Sequence, residues 1–503
     1  MRQRLLVIAL DAAEADVLEE GIDTGRFPNL AGIARQGSSA RLTNSMEFLP
    51  GTIWPELHTG RSGWRDGHFC HVAQLHAGET RPRPTRVDEI DIGGAWFNVA
   101  AQAGRRVVVV DPPQMLGDVG PRGVSVDQWQ MHDHNWDMRV EPPELAPLFE
   151  AAARETPYPV CDSHHGDTIE GYRSLLADLK ATVAAKRDIT VQLLERPWDV
   201  AFVTFTESHC AGHQFWHFRD PGSPFHDPDA PGDLRDAVET IYTELDAAIG
   251  ALVAAAGDDA LVVVVTSHGM QWEVGGQAAL TVALTRLGYG SDDIPLAEVR
   301  RRIPAPVRRL ARRVVPRRVV DALGADARHF ERGGSTRAVT VPNNRGGAVR
   351  LRVRGRDPGG VIDPDEVAEV LTSLRSELAQ LRTVATGEPV IASMTTPGEA
   401  FGPDAHADLP DLLIDFRRDV GALDRVQSPA TGVIEVPLRW PWLPRTGDHT
   451  DHTRVWLQGP GCEEVDMQGA SAIDLAPTLL TACGVEVPSD MDGVSRLVVG
   501  RET

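Results

Sequence analysis

The chain has 503 residues and a formal net charge of −22, with apolar and charged fractions that are ordinary for a globular protein. The length allows a large core and about two to four domains, and the acidity argues against a general nucleic-acid-binding protein. Five scattered cysteines without a CxxC pair favour a reducing compartment. No run has the length of a membrane-spanning helix, and the apolar N-terminal run is too short for a signal peptide, so we expect a cytoplasmic protein.

The first predicted strand covers residues 5–10 and ends at Asp11. Taken alone, this aspartate is better explained as the N-cap of the following helix. Further on, Pro50-Gly51 breaks the chain and Pro55 suits the first turn of a helix, which places Thr52 just before a helix N-terminus. A hydroxyl there is either a cap or a nucleophile aimed at a bound phosphoryl group, and local sequence favours the cap.

After a strand at residues 105–110, the stretch 114–167 is irregular and rich in Trp, His and Pro. This composition predicts a loop-rich cap over a site. Its histidines, His132 among them, have no metal-ligand spacing, and we interpret them as surface or packing residues.

The most informative stretch is an apolar strand, residues 200–205, followed by His209 and His213. If a helix follows the strand, a spacing of four residues puts both imidazoles on one face, close enough to hold one metal ion. Ligands in open α/β sheets bind at the carboxyl ends of strands, where this pair lies.

A second buried strand, residues 261–265, leads into Ser267-His268-Gly269. His268 is either a buried hydrogen-bonded residue, the commoner case, or a ligand. The basic run 300–318 interrupts the pattern and is typical of an insertion, for which we assign residues 296–334. It could contact an anionic partner, a membrane or a second subunit, but a solvated insert on this acidic protein is favoured.

Near the C-terminus, His449 lies in a Gly-containing loop before a strand at residues 455–458. The order of elements predicts an α/β fold with a doubly wound, mostly parallel sheet and helices on both faces, built from residues 1–295 and 335–503. Such a sheet gathers a carboxylate, a hydroxyl and four imidazoles along one edge. This set suits one or two divalent metal ions, with zinc as the first candidate and manganese as the second. These side chains belong to Asp11, Thr52, His209, His213, His268 and His449.

Several short motifs occur in a fixed order along nearly the whole chain. They are Val7-Ile8-Ala9-Leu10-Asp11, Phe27-Pro28-Asn29-Leu30, Pro50-Gly51-Thr52-Ile53-Trp54-Pro55, Thr59-Gly60, Glu207-Ser208-His209-Cys210-Ala211-Gly212-His213, Ser267-His268-Gly269-Met270, Gly447-Asp448-His449, Asp474-Leu475-Ala476-Pro477-Thr478 and Asp490-Met491-Asp492-Gly493. As a set they resemble the alkaline phosphatase superfamily, in particular its type I phosphodiesterase/nucleotide pyrophosphatase branch.

The resemblance implies an alkaline phosphatase-like fold and a phosphohydrolase that acts on small phosphate esters through a phosphothreonine intermediate. Thr52 is then the nucleophile. One metal is served by Asp11, Thr52 and His268, and the other by His209, His213 and His449.

The chain departs from the family pattern at three places. His209 stands where the family usually has Asp, Ser267 stands where it has the Asp of Asp-His-Gly, and the spacing around Thr52 differs. The loss of two carboxylates leaves the Asp11 metal short of a ligand. Glu207, Asp448 or a water could fill that place, or only one metal binds tightly.

We therefore expect a metal-dependent phosphohydrolase, either a phosphodiesterase or a phosphatase. One alternative is a sulfohydrolase or phosphonate hydrolase on the same site, although Cys70 does not begin the Cys-x-x-x-Arg motif of sulfatases with a modified cysteine. The other is a non-catalytic, metal-poor binding or regulatory homologue. The sequence predicts neither the substrate nor the oligomeric state.

Overall fold

The structure is a computed structural model that describes residues 4–70, 94–132, 136–159, 168–290, 336–341, 345–436 and 445–497. Isolated described positions lie between residues 70 and 94 and at 438. The predicted insert, 296–334, with its basic run 300–318, lies outside the described residues.

Strands in the described part of the chain are short. In chain order they are β1 (Arg4–Leu10), β2 (Ser38–Leu42), β3 (Val107–Val110), β4 (Val124–Asp127), β5 (Arg139–Glu141), β6 (Val200–Phe205), β7 (Ala260–Thr266), β8 (Gly269–Trp272), β9 (Ala338–Val341), β10 (Gly347–Leu351), β11 (Arg382–Thr383), β12 (Ile391–Thr395), β13 (Leu412–Phe416), β14 (Arg425–Ser428), β15 (Gly432–Glu435), β16 (Gly447–Thr450) and β17 (Thr453–Gln458).

Helices alternate with these strands in the first half of the chain. In order they are α1 (Ala15–Asp23), α2 (Pro28–Gln36), α3 (Ile53–Thr59), α4 (Trp96–Gln102), α5 (Ala146–Glu155), α6 (Ile169–Leu194), α7 (Glu207–Arg219), α8 (Gly232–Arg235), α9 (Ala237–Ala256), α10 (Gly276–Arg286), α11 (Val367–Leu378), α12 (Pro397–Phe401) and α13 (Leu475–Ala482).

The central sheet has eight strands in the order β2-β17-β7-β1-β6-β3-β4-β5. β1 pairs in parallel with both β6 and β7, and β3 continues the parallel set between β6 and β4. The antiparallel strands lie towards the edges, where β17 joins β7 and β5 joins β4. Crossover helices are needed between parallel neighbours, which explains the alternation of strands and helices.

Both faces of this sheet are covered. Alternate residues of β1 enter two apolar layers: Leu6, Ile8 and Leu10 pack with α1, α2, α6, α7 and α9, and Leu5, Val7 and Ala9 pack with α3, α4 and α13. All six are buried, as expected of a continuous apolar strand covered on both sides. The predicted doubly wound, mostly parallel sheet with helices on both faces is confirmed.

The chain folds as two compact units. The first comprises Met1–Gly63, Arg86–Glu273 and Trp442–Thr503 and contains the central sheet, and the second comprises Trp64–Thr85 and Val274–Pro441. The second unit has a four-stranded antiparallel sheet, β12-β13-β10-β9, and a three-stranded one, β11-β14-β15. The hydrolase core predicted from sequence spans both units, and its boundaries stay a prediction.

Part of the stretch 114–167 is regular structure. β4 and β5 belong to the central sheet, and α5 follows them. The strands are only four and three residues long, too short to give a clear period in the sequence. Whether this stretch caps a site stays a prediction.

None of the helices within the described ranges combines the length and the apolar character needed to cross a bilayer.

The buried carboxyl of Asp127, the last residue of β4, is expected to make the stability of the folded protein depend on pH. Burial raises the pKa of its carboxyl to about 8, although a hydrogen bond from the Gly117 N–H and the charge of Arg139 oppose this. The folded state therefore binds the proton more tightly than the unfolded chain, and stability present at low pH is lost as the pH rises towards 8.

Asp127→Asn keeps an acceptor for Gly117 without the charge. Between about pH 6 and about pH 9, we expect the wild-type free energy of unfolding to fall by up to about 3 kcal/mol more than that of Asp127→Asn. Urea denaturation of both proteins across this range measures the difference, and parallel curves would contradict the expectation.

Candidate metal centre

Three parallel strands bring the first group of predicted residues to one edge of the central sheet. Leu10 of β1 is level with Phe205 of β6 and with Thr266 of β7. Asp11, which follows β1, and Ser267, which follows β7, therefore lie at the same level of the sheet. This is the edge where open α/β sheets place their ligands.

His209 and His213 lie one turn apart on α7, which starts directly after β6. Both side chains are buried, and their Nε2 atoms are 2.8 Å apart. The spacing of four residues therefore forms one helical face, as predicted.

His449 reaches the same point from another part of the chain. It lies on β16, opposite Met270 of β8, in a two-stranded antiparallel ribbon. Its Nε2 is 3.3 Å from Nε2 of His209 and 3.2 Å from Nε2 of His213. Three buried imidazole nitrogens thus face one another.

Hydrogen bonds assign the protons on two of these rings. His213 Nδ1 is 2.8 Å from the Gly447 carbonyl oxygen, which can only accept, so Nδ1 carries the proton. His209 Nδ1 is 2.7 Å from Asp11 Oδ2, a carboxylate oxygen, and also donates. Both rings then direct the Nε2 lone pair at the other ring. Lone pairs at this separation repel unless a cation lies between them.

This donor set fits a zinc ion. Zn–N bonds of about 2.0–2.1 Å in tetrahedral geometry place ligand nitrogens about 3.3 Å apart. Two of the three Nε2 separations, 3.2 and 3.3 Å, match that value, and the third, between His209 and His213, is shorter at 2.8 Å. Burial is the main cause that lowers the pKa of both His213 and His449 well below the usual value, and neutral imidazoles are the form that binds metal.

Asp11 accepts hydrogen bonds on both carboxylate oxygens. Oδ2 accepts from His209, and Oδ1 accepts from Trp54 Nε1 at 2.9 Å and from Ser267 Oγ at 3.0 Å. Burial alone would raise the pKa of Asp11, but the charge and hydrogen bond of His209, with contributions from His268 and Trp54, hold it below its usual value. A carboxylate that receives the Nδ1–H of a ligand histidine fixes the orientation of that ring.

Ser267 connects Asp11 to His268. Its hydroxyl accepts from the Ala12 backbone N–H, at 3.1 Å, and donates to Asp11, so His268 Nδ1, 2.9 Å away, donates to it. The lone pair of His268 is then on Nε2, and its ring lies 4.2 Å from that of His449. Ala12 has φ 51°, an unusual value for alanine, at the turn that follows Asp11. Asp11, His209 and His268 offer ligand atoms within 4.8 Å of one another and form a second candidate group.

Thr52 lies at the N-cap of α3, but its side chain makes no capping bond. Its Oγ1 instead donates to the Leu49 carbonyl at 2.7 Å and lies 2.6 Å from Ser45 Oγ and 3.3 Å from Glu56 Oε1. The structure thus brings together the five other predicted residues, and no hydrogen bond recorded among the described residues joins Thr52 to them. The hydrogen bond from the Trp54 indole N–H to Asp11 places the first turn of α3 beside these five residues.

Comparison with known families decides the affiliation. The sequence profile of the family "Type I phosphodiesterase / nucleotide pyrophosphatase" matches residues 5–432. The chain belongs to this family. As a member of the type I phosphodiesterase family it is a hydrolase of phosphate esters in the alkaline phosphatase superfamily, and the family depends on divalent metals.

Solved structures that resemble this phosphodiesterase family member have low sequence identity to it. A mutant of the alkaline phosphatase PafA has a TM-score of 0.51 and 12% identity over 98% of each chain. Phosphonoacetate hydrolase from Sinorhizobium meliloti 1021, in complex with phosphonoformate, has a TM-score of 0.48 and 15% identity over 96% of each chain. An inactive variant of murine ectonucleotide pyrophosphatase/phosphodiesterase 5, in complex with AMP, has a TM-score of 0.46 and 12% identity over 97% of this chain and 96% of that chain. No curated protein sequence matches this chain.

In this phosphodiesterase family member, the two positions that lack the usual carboxylate both bond to Asp11. The side chains of His209 and Ser267 donate hydrogen bonds to the Asp11 carboxylate, whereas acids at these two positions would repel it. Whether Glu207 or Asp448 takes the place of the lost acids stays a prediction. The groups of close metal-ligating atoms among the described residues include neither, and Asp448 Oδ1 accepts from the His449 backbone N–H.

Four residues of the site were not predicted as functional. Trp54 donates a hydrogen bond to Asp11, and Glu56 lies within hydrogen-bond distance of the Thr52 hydroxyl. His132, interpreted as a surface or packing residue, stacks on His209 with ring centroids 4.3 Å apart, and Arg445 Nη2 lies 3.3 Å from His132 Nε2. Two of the four had a sequence signal: Trp54 lies within the Pro50–Pro55 motif, and Arg445 lies two residues before the Gly447-Asp448-His449 motif.

Proposed function

We propose that the protein is a divalent-metal-dependent hydrolase of small phosphate esters, in which His209, His213 and His449 hold the ion and Thr52 is the nucleophile. The observation that carries this proposal is the convergence of three buried Nε2 atoms within 2.8–3.3 Å of one another. A set of imidazoles alone suits zinc better than manganese. The net charge of −22 does not suit nucleic acid, and five scattered cysteines without a CxxC pair are in keeping with the cytoplasm.

A zinc ion bound there supplies Lewis acidity towards a phosphoryl oxygen and lowers the pKa of a coordinated water or hydroxyl. The protein supplies the orientation of its ligands. The Asp11 carboxylate fixes the His209 ring, and the Gly447 carbonyl fixes the His213 ring, each through the Nδ1 proton.

In the proposed reaction Thr52 Oγ1 forms a bond to phosphorus while the bond from phosphorus to the leaving oxygen breaks. Water then attacks the phosphothreonine, which releases phosphate and restores the hydroxyl. Glu56 Oε1, 3.3 Å from Thr52 Oγ1, can accept the hydroxyl proton, because burial raises the pKa of Glu56 to about 7. Ser45, 2.6 Å from the same oxygen, helps to position it.

We propose one tightly bound ion instead of two. The second group shares His209 with the first, and His209 Nδ1 is already hydrogen-bonded to Asp11. Both Asp11 oxygens also accept hydrogen bonds from neighbours, so ligation by Asp11 would compete with them.

Metal analysis and a substrate panel test the proposal. Purified protein loaded with zinc and freed of excess should retain about one ion per chain. It should hydrolyse aryl phosphate esters and leave the matching aryl sulfate intact. A preference for the sulfate or for an aryl phosphonate would indicate the alternative hydrolase activities. Protein that neither retains zinc nor turns over any ester would indicate a non-catalytic homologue.

Asp11→Asn is expected to weaken zinc binding by about 10- to 100-fold, because the charged acceptor for His209 is lost while the three imidazoles remain. Competition with a chromophoric chelator measures the affinity. Asp233→Asn, at an exposed ion pair with Arg173, is the matched control and should bind zinc like the wild type. Equal affinities for all three proteins would show that Asp11 does not orient a ligand.

A further inference from the structure

His449 lies on a small piece of sheet that needs support from outside. β16 and β8 form a ribbon of two strands, separate from the central sheet, in which His449 is paired with Met270 and Thr450 with Gly269. Two strands alone are only marginally stable in water. Contacts with the rest of the first unit must therefore fix where the His449 ring lies.

One end of this ribbon is held by α7. The Gly447 carbonyl accepts from His213 Nδ1 at 2.8 Å, and the Thr446 backbone N–H donates to the His213 carbonyl at 2.8 Å. These bonds hold the ribbon where β16 begins, two positions before His449.

The other end is held by Glu14, a carboxylate that is 4% exposed. Its Oε2 accepts from the Met270 backbone N–H and from the Thr450 hydroxyl, both at 2.9 Å. Met270 is the partner of His449 across the ribbon, and Thr450 is the next residue on the same strand. A single oxygen thus joins both strands at the position of His449.

Glu14 is itself fixed by other elements of the first unit. Its backbone N–H donates to the hydroxyl of Tyr242 on α9, at 2.8 Å, and that tyrosine is fully buried. Its second oxygen, Oε1, accepts from the Asp16 N–H at 3.1 Å and from His452 Nδ1 at 2.7 Å. Glu14, Asp16 and His452 offer ligand atoms close enough for a metal ion, but an ion there would have to displace these donors.

The contact between Glu14 and the ribbon requires a glycine at position 269, the last residue of the Ser267-His268-Gly269 motif. A Cβ at this position would overlap both Glu14 Oε2 and Thr450 Oγ1, the two atoms of one hydrogen bond. The glycine therefore leaves the space in which the carboxylate reaches the ribbon.

We propose that Glu14 is the residue that positions His449, by holding both strands of its ribbon with one carboxylate oxygen. The effect of Glu14 on the metal centre rests on the proposed function, in which His449 is a ligand. Glu14 acts through the ribbon and is not itself a ligand. Because ligand distances in metal sites are kept within about 0.2 Å, a small shift of the ribbon is enough to weaken the site.

Glu14→Ala should weaken zinc binding by about 10- to 100-fold, the range found when residues that orient metal ligands are removed. Competition with a chromophoric chelator measures the affinity. The visible absorption of cobalt-loaded protein, which depends on the number and geometry of the ligands, should also change. A merely structural role would lower the stability of the metal-free protein without altering the spectrum of the bound cobalt.

Two further variants show whether the Oε2 atom is responsible. Glu14→Gln can offer its amide oxygen to the ribbon while its NH2 faces His452, so it should restore most of the affinity and the cobalt spectrum. Asp16→Asn keeps the backbone N–H that bonds to Glu14 and changes only an exposed side chain, so it should bind zinc like the wild type. If Glu14→Ala does not fold, Thr450→Val, which removes one of the two donors to Oε2, should show the same changes with an affinity loss of about 3-fold.

Hydrogen exchange of the metal-free proteins separates this inference from the proposed function. In Glu14→Ala the amides of β8 and β16 should exchange at least about 10-fold faster, while those of β7 stay as in the wild type. If wild-type protein retains neither zinc nor cobalt, the proposed function fails, and faster exchange confined to the ribbon still supports the role of Glu14. Unchanged exchange in the ribbon, or equally faster exchange in β7, would overturn it. In protein that binds the ions, wild-type affinity and an unchanged cobalt spectrum in Glu14→Ala would overturn it as well.

Discussion

His213→Ala is expected to leave the protein folded but without stoichiometric zinc, and to lower kcat/KM for phosphate esters by about 10³-fold or more. The ring supplies one of three nitrogens, and two remaining imidazoles are too few for a stable zinc site. Losing several kcal/mol of Lewis-acid stabilisation of the transition state corresponds to a rate loss of this size. Elemental analysis after gel filtration and initial rates with an aryl phosphate measure both effects.

A matched control for this variant is His226→Ala. His226 is partly buried and its Nδ1 bonds to the His217 carbonyl, but it belongs to none of the candidate metal groups among the described residues. It should retain zinc and activity. If His213→Ala keeps both, the three imidazoles do not form the metal site and the proposed function is wrong.

Thr52→Ala is expected to lower turnover by about 10³-fold or more while the zinc content stays that of the wild type. The variant removes the oxygen that would attack phosphorus, and no hydrogen bond of that oxygen within the described chain leads to the imidazoles. Thr52→Ser keeps a hydroxyl and should recover much of the rate. A phosphorylated Thr52 peptide, trapped by acid quench and found by mass spectrometry, would identify the intermediate directly.

Ser45 provides the discriminating control, since its hydroxyl lies 2.6 Å from that of Thr52. Ser45→Ala should reduce the rate only moderately, by about 10-fold, because one positioning hydrogen bond is lost. Should Ser45→Ala be inactive and Thr52→Ala active, Ser45 would be the nucleophile. Full activity in Thr52→Ala would reject the assignment in any case.

The candidate metal ligands on the central sheet and on α7 could be predicted because they follow readable local signals. Apolar runs end directly before Asp11, Ser267 and the α7 histidines, and parallel strands leave little freedom in where their carboxyl ends lie. The helical spacing of His209 and His213 needs no tertiary information. For the same reason the sheet with helices on both faces could be predicted from the alternation of elements.

The residues around the ligands could not be predicted, because their roles depend on tertiary contacts between distant segments. Trp54 meets Asp11 across 43 positions of the chain, and Arg445 meets His132 across 313. For Thr52 the local signal even favoured a helix cap, whereas the folded chain directs its hydroxyl to Leu49, Ser45 and Glu56. β4 and β5 were missed because such short strands carry no period.

The distribution of the ligands along the chain has a consequence for how the protein matures. His209 and His449 are 240 positions apart, and their nitrogens meet only after β6, β8 and β16 have taken their places. An unfolded chain has no such pocket, so a cation bound there would stabilise the folded first unit over the unfolded chain. Starvation for zinc would then limit not only turnover but the amount of native protein that survives in the cell.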